Sequence, residues 1–310
     1  MKNLTLHLGL IGVLFALNWV LPAYEQGTIA RVMVLATYAM GYNIAFGYTG
    51  LLSLGHAMFF AAGMYGLALP MLHGGVSAGP AFLLALLSGA VLALVVGLLA
   101  LRTRGVAFMI VTLMFAQAVY LTIGLATQWT RGDEGFVLAQ ATRQLFGLDL
   151  SAPMVRYGAA WALFSTVLVL TLWLVRHPMG RVLVAIRENE DRASLLGYDT
   201  HLHKFGALVL SGTISAAAGA GYALLFGNTG SGFATVQYSI LPLLWVLLGG
   251  AGTVIGPFLG TLFMVYLINW AADVTDAYML VAGAALVLLT LFAPGGIAGF
   301  LRSRVWGWLA

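Results

Sequence analysis

Long apolar runs alternate with short polar joins along almost the whole chain. Ten runs of about 15 to 22 residues are long enough to cross the hydrocarbon core of a bilayer as helices. They are residues 4–22, 32–48, 51–72, 81–101, 105–126, 157–175, 205–226, 234–250, 254–272 and 277–293. The pattern predicts an all-α, polytopic membrane helix bundle of about ten transmembrane segments, forming a single transmembrane domain over residues 1–310.

Two joins in this pattern are too short for ordinary loops. They fall at 46–54 and at the glycine-rich stretch 249–256. Backbone that leaves the helical conformation at membrane depth must be buried in protein or line a water-filled cavity. Each join therefore predicts either a tight turn or a helix that is broken within the membrane.

Composition and charge fit a membrane protein. Hydrophobic residues make up 61% of the chain and charged residues 8%, whereas a soluble domain has about 25% charged residues. Ten of the fourteen basic residues fall on one side of the predicted spans, which places both termini and the segment 177–204 in the cytoplasm and leaves 127–156 as the longest external loop. The net charge of +4 comes from residues beside apolar runs, so the expected partner is the lipid bilayer and no nucleic acid is expected.

One polar segment, "GRVLVAIRENEDRASLLGYD" at 180–199, interrupts the apolar pattern. Its seven charges would cost on the order of 20 kcal/mol at the bilayer centre, so the segment lies outside the membrane. Val182, Ala185, Ile186 and Asn189 recur at helical spacing, which predicts one or two short amphipathic helices lying against the membrane. Two functions remain open for this segment: a solvated loop that tops the bundle, or a docking element.

Pairs of opposite charge at helical spacing would stabilise such a helix. Arg187 with Asp191, and Glu188 with Arg192, stand four residues apart, and Gly197 is a plausible stop.

Three motifs carry a resemblance to a known family. They are "GYNIAFGYTGLLSLGHAMFF" (41–60), "GRVLVAIRENEDRASLLGYDTHLHKFGALVLSGTISAAAGA" (180–220) and "LLGGAGTVIGPFLG" (247–260). Over residues 30 to 300 the chain resembles the LivM-type permease subunits of bacterial ABC importers for branched-chain amino acids. It departs from the family at "TRGDEGF", where a Gly-Gly pair more often follows the Thr, and this departure concerns an external loop.

The resemblance implies that residues 178–197 form a coupling helix that docks in a groove on a cytoplasmic ATPase. The residues expected to carry ATPase coupling are Arg181, Ala185, Ile186, Arg187, Glu188, Asn189, Asp191 and Gly197. It also implies a multi-pass protein of the bacterial inner membrane, whose partners are a homologous second permease subunit, two cytoplasmic ATPase subunits and an external solute-binding protein. By the same resemblance the chain forms half of the translocation path for branched-chain or other hydrophobic amino acids. Urea or short amides are the alternative cargo, because related permeases resemble this one too.

Nucleotide hydrolysis is expected from the partner subunits. A phosphate-binding loop needs a lysine followed by Ser or Thr, whereas Lys2 precedes Asn3 and Lys204 precedes Phe205. The chain is therefore not expected to be an enzyme or to bind a cofactor or metal itself, and ATP and Mg are used by the partner ATPases.

The membrane segments contain two similar pentapeptides, "FGYTG" at 46–50 and "FGNTG" at 226–230. If they mark breaks in two repeated halves, they point to a translocation path, with backbone exposed to a water-filled cavity. Tight helix crossing explains each glycine equally well, and a neutral histidine hydrogen-bonded inside the bundle explains His56. The candidate path residues are Asn43, Gly47, Thr49, Gly50, Ser53, His56, Gln117, Asn228 and Thr229.

Small residues at four-residue intervals predict close helix packing. Gly252, Gly256 and Gly260 form one such series, and Ser211, Ser215 and Gly219 form another.

Two other function classes are disfavoured by the distribution of polar residues. A proton-driven transporter places carboxylates inside its spans, whereas the acids of this chain lie at span ends. Sodium coupling through carbonyls and hydroxyls remains open. A membrane enzyme would need a nucleophile or metal motif such as Gly-x-Ser-x-Gly or His-Glu-x-x-His, and the sequence has neither.

Overall fold

The computed structural model describes residues 2–145, 147–292 and 295–304. Within these residues the chain forms fourteen α-helices: α1 (Lys2–Leu17), α2 (Ala23–Asn43), α3 (Ala57–Gly74), α4 (Ala78–Ala100), α5 (Val106–Leu125), α6 (Thr127–Thr130), α7 (Pro153–Arg176), α8 (Pro178–Glu188), α9 (Glu190–Leu195), α10 (Thr200–Phe226), α11 (Val236–Gly249), α12 (Gly256–Val274), α13 (Tyr278–Phe292) and α14 (Gly296–Arg304). Four two-residue strands complete it: β1 (Phe136–Val137), β2 (Gln144–Leu145), β3 (Leu148–Asp149) and β4 (Asn228–Thr229).

Each predicted span has a helical counterpart, which confirms the all-α polytopic fold. Seven helices in the described residues are long and apolar enough to cross a membrane. The other three, α1, α11 and α13, are apolar but have 16, 14 and 15 residues, which at 1.5 Å per residue is short of the roughly 30 Å hydrocarbon core. Residue 293, the end of the last predicted span, lies outside the described residues.

The bundle is built around α2 and α10. About 80% of the apolar window of each of these two helices is buried within the chain, against 28% for α4 and 22% for α5. The second of the two, α10, packs against α2, α3 and α4 and is the centre of the arrangement. The outer helices α4 and α5 therefore present their apolar surfaces to lipid or to another subunit.

Small residues let the central helices approach closely, as predicted. A methyl group at Gly219 would overlap the carbonyl oxygen of Phe60, and the Ser211 hydroxyl donates to the Gly41 carbonyl over 2.5 Å. A methyl group at Gly260 would overlap the carbonyl oxygen of Trp245 where α12 crosses α11. In lipid, where helices gain no hydrophobic energy by associating, such contacts hold the bundle together.

The first short join is a broken helix. After α2 the chain makes one π-helical turn, Ile44–Tyr48, and residues 50–55 then leave the helical conformation before α3 begins. The second join is a turn, residues 250–255, in which Gly250 and Gly252 have φ values of 115° and 76° that favour glycine.

The polar segments lie at opposite ends of the bundle. The helices α8 and α9 connect the end of α7 to the start of α10, whereas β4 follows the other end of α10 and pairs antiparallel with β1 of the loop 127–152. The 27 residues of α10 correspond to about 40 Å of helix between the two ends. Successive spans alternate in direction, so α1 and α14 have their chain-terminal ends at the α8 end of the bundle.

Candidate coupling site

The segment between α7 and α10 forms two helices joined at one extended residue. Pro178 occupies the first turn of α8, where its missing N–H needs no partner, and the ring of His177 accepts a hydrogen bond from the Met179 amide. Asn189 has φ −161° and ψ 104°, which ends α8, and its side-chain oxygen accepts from the Arg192 amide over 2.9 Å to cap α9.

Because α8 ends before Asn189, the two predicted ion pairs do not lie on one continuous helix, which corrects that prediction. Arg187 and Asp191, like Glu188 and Arg192, stand on different helices, so the four-residue spacing no longer brings them together. In the part of the chain that the structure describes, the ion pairs involve Glu190 instead, with Lys204 and, at 4.0 Å, Arg104. Gly197 follows α9 with φ 90°, as expected for a helix stop.

The Glu190 pair anchors α9 to the start of α10. Partial burial alone would raise the pKa of Glu190, but the hydrogen bond and charge of Lys204, helped by Arg104 and Thr200, outweigh it and lower the pKa below its usual 4.5. The carboxylate is therefore charged at neutral pH and holds Lys204, whose side chain is 13% exposed.

The helix α8 has an inward and an outward face. Val182, Leu183 and Ile186 are 8%, 0% and 3% exposed and pack on the protein itself. The structure thereby corrects the expected place of Ile186, which lies on the inward face and not on the docking face. Ala185 is exposed, in agreement with its expected place.

A shallow groove of about 670 Å³ runs along the outward face. Its apolar floor includes Val184 and Ala185, and its rim carries Arg181, Glu188 and Arg192. At the end of α9, Leu195 and Leu196 are 88% and 76% exposed; Leu196 lines the groove and Leu195 lies next to it in the chain. Apolar surface bordered by charges is the form that a protein docking site takes. Asp191 is exposed beside this surface.

Arg187 is exposed, but its side chain turns away from this outward face towards the membrane helices. Its guanidinium donates a hydrogen bond to the carbonyl oxygen of Gly47, in the π-helical turn. Gly50 lies against the Arg187 side chain, and a methyl group at Gly252 would come within 2.7 Å of its Nη1. Arg187 therefore contacts both short joins at once: the broken helix at 46–54 and the turn at 249–256, which are the two membrane breaks.

Asn43 ties the same two breaks together. Its side-chain nitrogen donates to the Thr253 carbonyl over 2.9 Å, and its side-chain oxygen accepts from the Gly252 amide over 3.0 Å. The Thr49 hydroxyl closes the π-helical turn by donating to the Ile44 carbonyl over 2.8 Å. Asn43 and Thr49 are 0% and 2% exposed, so both act within the packed chain.

His56 forms a buried hydrogen-bonded chain with Ser211. The two side chains are 2.7 Å apart, and Ser211 uses its single proton on the Gly41 carbonyl. Ser211 must therefore accept from Nε2–H of His56, which fixes the neutral tautomer. This geometry matches the structural alternative considered for His56.

The stretch 50–56 finds its hydrogen bonds inside the protein. The Leu54 amide donates to the Thr112 hydroxyl over 3.3 Å and the Ala57 amide to the Ser239 hydroxyl over 3.0 Å. Ser53 is fully buried and its carbonyl accepts from the Tyr42 hydroxyl over 2.9 Å. These groups are satisfied by protein partners, whereas Gly50 is exposed and, with Leu51 and Leu52, lines an open pocket of about 450 Å³ beside α8.

The remaining candidate path residues lie elsewhere. Gln117 is partly exposed on α5, Asn228 is exposed at the end of the bundle opposite α8, and Thr229 beside it is 4% exposed. The two pentapeptides also differ in shape, because Phe46–Tyr48 is π-helical whereas Asn228–Thr229 is a strand at the opposite end of the bundle. They do not share a local structure.

Sequence reasoning missed a cluster of arginines at the end of the bundle opposite α8. The guanidinium carbons of Arg31 and Arg156 lie 5.5 and 5.8 Å from the centroid of the Phe226 ring, and Arg143 donates to the Leu225 carbonyl over 3.3 Å. These residues come from distant parts of the chain, and no spacing in the sequence could bring them together.

A polytopic helix bundle that has, in its described residues, seven helices long and apolar enough to cross a membrane is the architecture of an integral membrane protein. The chain belongs to the family of branched-chain amino acid transport system permease components, whose model matches residues 26–290. It is a multi-pass membrane protein of that family.

Several curated relatives are similar to the chain. The high-affinity branched-chain amino acid transport system permease protein LivM of Escherichia coli is 28% identical, over 91% of this chain and 72% of the relative. The corresponding BraD protein of Pseudomonas aeruginosa is 26% identical, over 89% and 96%. The autoinducer 2 import system permease protein LsrC of Salmonella typhimurium is 33% identical over 46% of this chain and 41% of its own length. No solved structure matches the chain.

Proposed function

We propose that the chain is the permease subunit of an ATP-driven importer of branched-chain amino acids in the bacterial inner membrane, with both termini in the cytoplasm. The observation that carries the proposal is the two-faced helix α8, whose inward face packs on the bundle while its outward face offers an apolar groove with a charged rim. A purely solvated loop has no reason to expose Leu195 and Leu196.

The groove along α8 is the docking surface for a cytoplasmic ATPase. Val184, Ala185 and Leu196 supply apolar contact, while Arg181 and Glu188 at the rim set register. Two such ATPases hydrolyse ATP with Mg and drive alternation of the permease pair by binding its conformations unequally.

A second, homologous permease subunit completes the translocation path. The least buried span window is that of α5, and it carries the partly exposed Gln117. A polar side chain facing lipid is costly, so Gln117 supports an interface or path along this helix.

The outer end receives a solute-binding protein. Arg31, Arg143 and Arg156 converge on Phe226, and Asp149 in the neighbouring loop is hydrogen-bonded to Ser151. The resulting positive surface suits an acidic partner and would speed its encounter. The substrate follows from the relatives that match most of the chain, LivM and BraD, which are both branched-chain amino acid permeases by name.

Ala185→Glu tests the docking surface. The variant adds a charge to the apolar groove without disturbing the inward face, so the permease should reach the membrane normally but bind the ATPase at least ten-fold more weakly. Ala141→Glu, on the exposed external loop, is the matched control. ATPase binding and ATP-dependent leucine uptake are measured in proteoliposomes with the binding protein present.

Ile186→Glu separates docking from folding. Because Ile186 is buried in the chain's own packing, this variant should lower the yield of folded permease. Normal ATPase binding by Ala185→Glu would overturn the docking assignment. Uptake that persists without ATP and collapses with an ionophore would favour an ion-coupled transporter instead.

A further inference from the structure

Arg187 differs from the other charged residues of α8 because its guanidinium hydrogen-bonds a carbonyl of the membrane helices. We propose that Arg187 is a positioning residue that transmits movement of α8 to the π-helical turn of α2 and to the turn between α11 and α12. The inference rests on the proposed function, in which an ATPase moves α8, and it assigns Arg187 to transmission and not to docking.

The carbonyl of Gly47 is suited to receive such a contact. The helix ends at Tyr48, and the last carbonyls of a helix lack partners within it. A guanidinium carries several donors and a permanent charge, so its hydrogen bond to a carbonyl is stronger than that of a neutral donor.

Glycines leave the space that the Arg187 side chain occupies. Gly50 has φ 77°, and a methyl group added to it would lie 3.4 Å from Cγ of Arg187. Gly252 has φ 76°, and a methyl group there would approach Nη1 to 2.7 Å. Both positions therefore have a conformation that favours glycine and touch the same side chain, and at Gly252 an added methyl group would also clash with it.

The two breaks form one mechanical unit. Asn43 is hydrogen-bonded to both Gly252 and Thr253, and a methyl group placed on Gly47 would come within 2.6 Å of the Gly252 amide. A displacement of the Gly47 carbonyl is thus carried directly to the start of α12. Packed elements respond to such displacements by moving together, because tightly packed interfaces do not deform continuously.

On the cytoplasmic side, α8 offers no second connection of this kind to α2 in the described residues. The neighbouring inward residues, Val182, Leu183 and Ile186, make apolar contacts that allow sliding. Arg187 supplies the directional bond, so its loss should leave α8 in place but let it move independently of the membrane breaks.

Arg187→Gln tests transmission in the assembled importer. We expect ATPase binding to stay within about two-fold of the wild type while the ATP hydrolysed per leucine transported rises at least five-fold. Arg187→Lys keeps a charge and one donor near Gly47, so it should recover part of the coupling. Arg102→Gln, an exposed arginine of the loop after α4, is the control and should match the wild type.

Hydrogen exchange gives a second readout that does not depend on docking. Arg187→Gln should increase exchange of the amides at residues 47–51 and 251–253 in the assembled importer, whereas Arg102→Gln should not. A wild-type ATP-to-leucine ratio in Arg187→Gln, or equal failure of the Lys and Gln variants, would overturn the inference. Loss of ATPase binding would make Arg187 a docking residue and would overturn it too.

The Ala185→Glu experiment distinguishes the two levels of proposal. If Ala185→Glu abolishes ATPase binding while Arg187→Gln couples normally, only transmission through Arg187 is wrong. If Ala185→Glu binds the ATPase normally, the proposed function of α8 fails first.

Discussion

The crossing of α10 over α4 gives a quantitative test of packing by small residues. A methyl group added at Gly212 would lie 2.6 Å from the Cβ of Ala93 and 3.2 Å from the Phe59 ring. Ordinary van der Waals contact begins at 3.4 Å, so the helices must separate by 3.4 − 2.6 = 0.8 Å to admit it. Neither Cβ can rotate away, because each is fixed to its backbone.

Overpacking of this kind costs about 2 kcal/mol, while replacing a helical glycine by alanine returns about 1 kcal/mol. Gly212→Ala should therefore destabilise the permease by about 1 kcal/mol. In an Ala93→Gly background the 2.6 Å clash disappears and only the 3.2 Å approach to the Phe59 ring remains, which a small ring shift relieves. The same substitution should then stabilise by up to about 1 kcal/mol, so the coupling energy between the sites is about 2 kcal/mol.

The assay is unfolding of the purified permease by SDS in mixed micelles, followed by tryptophan fluorescence, for the wild type, both single variants and the double variant. Gly124→Ala on α5 is the matched control, since nothing lies within 4 Å of the added methyl group. It should be neutral or slightly stabilising. A coupling energy near zero, or Gly212→Ala as stable as Gly124→Ala, would refute the close packing of α10 on α4.

Two further predictions concern the ends of the bundle. Arg131 has φ 58°, a left-handed conformation that costs a residue with a side chain about 1 kcal/mol. Arg131→Gly should therefore stabilise the permease by about 1 kcal/mol in the same SDS assay, whereas Arg131→Lys should not. Equal stability of the two variants would contradict the strain. Glu190 has a lowered pKa, so its stabilisation is complete above the unfolded value of 4.5 and is lost as pH falls through the folded value. The stability difference between the wild type and Lys204→Met should therefore shrink below pH 4.5, and a difference independent of pH would rule out the ion pair as its source.

Span positions were predictable because hydropathy reports directly on burial in lipid. The starts of α2 and α10 could not be predicted in the same way. The sequence pattern placed them at residues 32 and 205, whereas in the structure the two helices begin at Ala23 and Thr200. Polar residues such as Glu25, Arg31 and Lys204 interrupt the apolar runs, yet a helix continues through them when its end projects into water.

The departure at "TRGDEGF" acquires a physical meaning in the structure. The position of the first glycine expected after Thr130 is occupied by Arg131, and its backbone adopts the left-handed conformation that glycine tolerates without strain. The turn is held by the Thr130 hydroxyl, which donates to the Ile123 carbonyl over 2.7 Å and accepts from the Gly132 amide over 3.1 Å. The sequence shows an arginine at this position, but it could not show that the backbone of this arginine is left-handed.

The charges of the sequence located the candidate docking segment, but they could not predict the direction in which each side chain points. Helical spacing grouped Ala185 with Ile186, although consecutive residues of a helix lie about 100° apart and cannot both face one partner squarely. The bundle beneath α8 decides between them, because it buries Ile186 and leaves Ala185 in the groove. Only tertiary contacts carry that information.

The 100° step between consecutive residues of α8 also places Arg187 differently from its neighbours. One position after buried Ile186 and two after exposed Ala185, it leaves α8 at the edge between the two faces, where a long side chain can reach Gly47 while its helix keeps a free outer surface. In the proposed complex a residue on the outward face would be covered by the ATPase, and a short residue on the inward face would not reach the break. An arginine at this edge satisfies both constraints, which is why the docking surface and the membrane breaks can be joined through a single side chain.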